Sequence, residues 1–268
     1  MKIGSIVLNS LLILLLVYIF LVVFLFFYQR KLLYHPSENN YLDETQLNHK
    51  IEKTFVQSND KLVSWYFKKN PKFKTILFFH GNAGKLDNRV YKLNELSKLD
   101  LNYLIVAYRG FSGNAGNPTE SGLYDDAYSA KIWLNKNGIE DKDIIVYGES
   151  LGTAVAVDLA SRFKFSGLIL ESPFTSMVEL AQNYYPIFPV KLILKDRYES
   201  KKKLKDIKSP VLVMHGKKDK IVPFYMGEQI FGALLEPKFA YFNDLDDHMM
   251  EYNEDLIDSI KKFLEKIN

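Results

Sequence analysis

Six short apolar runs, each nearly continuous rather than alternating, constrain this chain most. They are TILFFHG (Thr75–Gly81), LIVAYRG (Leu104–Gly110), DIIVYG (Asp143–Gly148), GLILESP (Gly167–Pro173), PVLVMHG (Pro210–Gly216) and KFAYFN (Lys238–Asn243). A strand that is apolar on both sides is covered on both faces, which is the signature of a parallel sheet between helices. Helical patterns intervene at Arg89–Leu99, at Thr119–Asn137 with Thr119 as cap, and at Leu151–Phe163, and another closes the chain at Glu251–Ile267. Ahead of them, KTFVQS and LVSWYF read as two strands joined by a turn at Asn59-Asp60. Strands alternating with helices predict an α/β fold: a mostly parallel sheet, right-handed crossovers and helices on both faces. Residues 174–208 break the alternation, aromatic first (NYYPIFP) and basic later (ESKKKLKDIK), and are expected as a small helical insertion, or cap, above the sheet.

The first 31 residues are of another kind. From Ile3 to Tyr28 the sequence carries no charge. A helix needs about 20 apolar residues to cross a bilayer, and this run is longer. It exceeds the apolar core of a cleaved signal peptide, about 7–15 residues, and no small-x-small site follows. The expected layout is therefore a transmembrane anchor (1–31), a polar connector (32–50) and a catalytic part (51–268). Arg30 and Lys31, with Lys50 and Lys53 beyond, outweigh Lys2 and the amino terminus. The basic residues thus lean toward a cytoplasmic C-terminal part. A net charge of +3 is too small to imply a nucleic-acid partner. The absence of cysteine excludes disulfides, thiol catalysis and thiolate metal sites. No dinucleotide fingerprint, phosphate loop or zinc spacing occurs, so no cofactor is expected.

Gly148-Glu149-Ser150-Leu151-Gly152 joins one of the buried strands to a helix. Glycine and serine are common, so this G-x-S-x-G is weak evidence alone. Its position is not weak, because ligands of open α/β sheets bind beyond the carboxyl ends of the strands. A strand-turn-helix of this kind is a nucleophile elbow. A serine hydroxyl needs a base to take its proton. Of five histidines, His35 lies beside the anchor, His49 in the polar connector, His80 and His215 end strands, and His248 stands in a polar loop before the last helix. His248 fits best. Asp219, just past a strand end, is the expected orienting carboxylate, with Glu171 as its rival, and Ser, Asp, His is a known chain order for such a triad. An oxyanion needs preorganised N–H donors; the backbone N–H groups of Leu151 and Asn82 are expected to supply them, with Ala83 able to replace Asn82.

The segments FFHGNAG, VAYRGFSGNAGNPTESGLYDDA, VYGESLGTAVAVDLA, LILESPFTSM and PVLVMHGKKDKIVP, with the late histidine, occur in an order that resembles the membrane-anchored BEM46/ABHD13-type α/β-hydrolases, and more distantly the ABHD17-type depalmitoylases. The resemblance runs from about Tyr28 to the end. It implies the α/β-hydrolase fold and a serine hydrolase carried by Ser150, Asp219 and His248, and it names no substrate. Family members often have glycine before the histidine, where this chain has Asp247. Asp125 and Asp126 read as helix residues that hold the Tyr108–Phe111 loop rather than as a metal pair. Tyr184, Tyr185, Phe188 and Leu192 either line an acyl pocket or form the core of the insertion. Lys201, Lys202, Lys203 and Lys205 make a solvated face or touch anionic headgroups. The expected activity is cleavage of carboxylic esters or thioesters of lipid-like or acylated substrates. A related peptidase and a silent membrane-bound binding module are the rivals.

Overall fold

The structure, a computed structural model, describes residues 2–37 and 46–267. Most of the polar part of the expected connector, 38–45, lies outside the described residues. Helix α1 (Lys2–Leu33) leads into a two-residue strand β1 (His35–Pro36). Then come β2 (Glu52–Gln57), β3 (Lys61–Phe67), β4 (Thr75–Phe79), the short β5 (Ala83–Gly84), α2 (Val90–Leu96), β6 (Asn102–Val106), α3 (Glu120–Lys136), β7 (Ile144–Glu149), α4 (Leu151–Arg162) and β8 (Gly167–Glu171). Three short helices follow, α5 (Met177–Tyr184), α6 (Val190–Ile193) and α7 (Ser200–Lys203), and then β9 (Val211–Gly216), α8 (Phe224–Ala233), β10 (Lys238–Asn243) and α9 (Glu254–Ile267).

Among the described residues the main sheet has eight strands in the order β10-β9-β8-β7-β4-β6-β3-β2. All neighbours pair in parallel except at β3, which runs against both β6 and β2. The continuous apolar runs have the predicted cause. Along β4, Leu77 and Phe79 pack toward α3 and α4, while Ile76 and Phe78 pack toward α2 and α9. Successive side chains of a strand point to opposite faces, so a strand covered on both sides must be apolar throughout. In α3 the Thr119 hydroxyl accepts the Gly122 N–H at 3.0 Å, which is the expected cap.

Three features depart from the sequence reading. The strand of LIVAYRG starts two residues early, at Asn102, and ends at Val106, so that Ala107 lies outside it together with the expected Tyr108–Phe111 loop. Helix α8 was not expected at all. The start of the expected connector is structured: β1 pairs in parallel with β5, tying the end of α1 to the loop after β4.

Candidate active site

The loops beyond the carboxyl ends of β4, β7, β8, β9 and β10 converge on Ser150. It stands between β7 and α4 with φ 51° and ψ −116°. Such a conformation costs a non-glycine residue about 1–3 kcal/mol, so the surroundings must hold it. They do so through close packing. A side chain at Gly148 would meet the Gly152 carbonyl oxygen at 2.4 Å, and one at Gly152 would meet the Phe79 oxygen at 2.1 Å. The Ser150 N–H donates to the Glu171 carbonyl at 2.8 Å, and the Ser150 carbonyl accepts from the Thr153 N–H and hydroxyl.

Ser150 Oγ lies 3.0 Å from His248 Nε2, and His248 Nδ1 lies 2.7 Å from Asp219 Oδ2. Burial alone would raise the Asp219 pKa. Hydrogen bonds from His215 and His248 and from the Val222 N–H outweigh it and hold the carboxyl well below its usual range. An ionised Asp219 fixes the proton of His248 on Nδ1, leaving Nε2 to accept from the serine hydroxyl. Asp219 is steadied further by its Oδ1, which accepts the N–H groups of Ile221 and Val222 at 2.8 Å each.

The other histidines are engaged elsewhere. His80 is fully buried, with Nδ1 against the Gly81 carbonyl at 2.7 Å. His215 is also buried. Its Nε2 sits 2.9 Å from the Val222 carbonyl and 3.2 Å from Asp219 Oδ2, the same oxygen that His248 contacts, so it braces the carboxylate. Glu171, the rival acid, binds Lys92 at 2.6 Å and the hydroxyls of Tyr147 and Tyr252. It belongs to a buried cluster in which Lys92 also reaches Glu149 at 2.9 Å and Arg89 reaches Glu149 at 2.7 Å. Two cations and two carboxylates thus neutralise one another beneath the serine turn. Sequence reasoning missed this cluster, whose one visible trace was a glutamate closing each of two otherwise apolar runs, Glu149 at the end of β7 and Glu171 at the end of β8.

Among the described residues no hydrogen bond engages the N–H of Leu151 or of Asn82. Leu151 is the first residue of α4, where backbone N–H groups lack partners within the helix. Both residues line, with Ser150, a cavity of about 250 Å³ that is mainly apolar. Tyr184, Tyr185 and Phe188 line it too, whereas Leu192 is 85% exposed and does not. Asp126 receives Arg109 at 2.7 Å and the Arg109 N–H at 2.9 Å, so it holds the loop after β6; Asp125 is exposed beside it. No group of three or more potential metal ligands occurs among the described residues. Lys202 and Lys203 are paired with Glu199 and Asp158.

The chain is similar to several known proteins. No family model matches the chain. An uncharacterized protein of Mycobacterium tuberculosis is 36% identical over 215 residues, 78% of this chain and 76% of that protein. Protein bem46 of Schizosaccharomyces pombe is 32% identical over 213 residues, 73% of this chain and 71% of the relative. The chain belongs to the BEM46-type α/β-hydrolase family. A lysophosphatidylserine lipase of Danio rerio is 32% identical across 73% of this chain, which spans 55% of that longer protein. Among solved structures, an esterase of Pyrococcus furiosus superposes with a TM-score of 0.70 at 18% identity, covering 87% of this chain and 97% of the esterase, a likeness of fold. As a member of this family the chain is a hydrolase by descent, and its N-terminal helix is long and apolar enough over Ile6–Leu33, despite Arg30 and Lys31 near its end, to cross a membrane.

Proposed function

We propose that the protein is a membrane-anchored serine hydrolase that cleaves carboxylic ester or thioester bonds of lipid-like or acylated substrates. One observation carries the reading: the hydrogen-bonded line from Ser150 through His248 to Asp219 ends at a mainly apolar cavity. Ser150 Oγ attacks the substrate carbonyl while its proton passes to His248 Nε2. Asp219 stabilises the imidazolium so formed. The N–H groups of Leu151 and Asn82 hold the oxyanion, a contribution of about 10²–10³ in rate for each such donor in acyl transfer. His248 then returns the proton to the leaving alcohol or thiol. A water molecule then attacks the acyl-serine as it gives a proton to the same nitrogen; when the bond from the acyl carbon to Ser150 Oγ breaks, His248 returns that proton to Oγ and the acid leaves. The lipase and esterase names among the similar proteins support ester hydrolysis, and the apolar lining supports an acyl substrate. In detergent, 4-nitrophenyl esters should be turned over, and Ser150→Ala should lower kcat by about 10⁴–10⁶. Equal turnover by Ser150→Ala would refute the assignment.

A further inference from the structure

The apolar helix does more than end near the site. Its half-buried residues, Val22, Leu25, Gln29 and Leu33, recur at spacings of three and four and form one face. Leu25, Gln29, Leu32 and Leu33 of that helix line the same cavity as Ser150. The contact is specific. Arg30 makes a two-pronged bond to Asp196 at 2.8 and 3.1 Å, and the Asn82 amide donates to the Leu33 carbonyl at 2.7 Å. The helix also supplies hydrogen bonds that a segment in water would not need. The Tyr18 hydroxyl donates to the Ile187 carbonyl at 2.9 Å, Gln29 donates to the Ile193 carbonyl at 3.0 Å, and Gln29 Oε1 accepts the Lys195 N–H at 2.7 Å. Backbone groups submerged in hydrocarbon must find such partners within the protein.

These contacts set the depth of the cap. Arg30 and Lys31 end the uncharged part of α1 and mark the headgroup level. At a rise of 1.5 Å per residue, Tyr18 lies about 18 Å below Arg30, inside a hydrocarbon core about 30 Å thick. The stretch that reaches Tyr18, with Phe188 stacked on its ring at 5.8 Å, is therefore at the same depth. Its side chains suit that place: Ile187 is 71% exposed, and Tyr184, Tyr185 and Ile221 are exposed around the cavity. The length of α1 agrees. The uncharged run from Ile3 to Gln29 rises about 40 Å, enough to cross a core of about 30 Å, and Leu25 lies about 7.5 Å below Arg30, on the hydrocarbon side of the headgroups.

We infer that α1 and the cap together form an acyl pocket open to the bilayer leaflet, so that the fatty acyl chain of a membrane lipid ester enters sideways from hydrocarbon and not from water. The inference rests on the hydrolase reading of Ser150. It is tested on the full chain in phosphatidylcholine vesicles. Leu25→Trp fills the wall of the pocket; Val23→Trp places the same bulk about 3 Å deeper on the other side of the helix. The ratio of kcat/KM for 4-nitrophenyl hexadecanoate to that for the butanoate should fall at least about tenfold in Leu25→Trp and stay within about twofold in Val23→Trp. Equal ratios in the two variants would overturn the inference. A second readout needs no turnover. In vesicles of dibrominated phosphatidylcholine, the fluorescence added by Ile187→Trp should be quenched, and unquenched emission would remove the submerged cap. Fluorophosphonate labelling of the unaltered protein keeps the two ideas apart: without labelling the hydrolase reading falls, and with labelling but no change in ratio only the pocket does.

Discussion

At the scale of single residues, the site depends on groups held in states that water would not favour. His80 is the clearest case outside the proposed triad. Burial, with the Arg89 charge nearby, lowers its pKa to about 3, against about 6.5 in an unfolded chain. Between these values the unfolded state binds a proton that the folded state does not. Stability is therefore complete above about pH 6.5 and falls as the pH drops toward 3, by about 1.4 kcal/mol per pH unit from this one group. Urea unfolding of the detergent-solubilised protein at pH 7, 6 and 5 should show this slope, and His80→Gln should flatten it. Unchanged slopes would contradict the neutral, buried assignment. The serine, the late histidine and the acid after β9, which the fold brings within hydrogen-bond distance of one another, could be proposed from the sequence because the order of chemical types at strand ends restricts the choice. The second histidine on Asp219 was not. His215 looked like any strand-end histidine, and only the folded path of Asp219–Val222 turns the carboxylate between two imidazoles.

Helices and strands were legible wherever one force dominated. The strands of the parallel core show themselves because both faces are apolar, and α3 does because Thr119 starts it and Asn137-Gly138 follows it. Helix α8 escaped notice for a physical reason. It carries Gly227 and Gly232, and glycine lowers helix propensity by about 1 kcal/mol each. Gly227 is there for space: a side chain on it would stand 2.3 Å from His215 Nδ1. Packing, not propensity, therefore makes α8 helical at that point. Gly227→Ala should push the His215 ring against Asp219. A loss of about 1–3 kcal/mol in unfolding free energy, together with a lower kcat, is the expected outcome; a variant as stable and as active as the parent would show that the ring has room to move. The buried Arg89–Glu149–Lys92–Glu171 cluster was illegible for a related reason, since charges in sequence do not reveal which of them will meet inside the fold.

For the whole molecule, the N-terminal helix and the α/β-hydrolase fold are joined by direct contacts. The last turns of α1 touch the cap through Gln29 and Arg30, and β1 pairs with the loop that carries Asn82. The apolar run was plain in the sequence, but its partnership with residues 174–208 lay too far along the chain to be read. Everything proposed for the site requires Ser150 to be an activated nucleophile. The most direct measurement is labelling of the full-length protein in membranes with a fluorophosphonate, beside Ser150→Ala and His248→Ala. The account predicts one labelled residue, Ser150, and no signal from either variant. A folded parent protein that takes no label, or a His248→Ala variant labelled as fast as the parent, would contradict it.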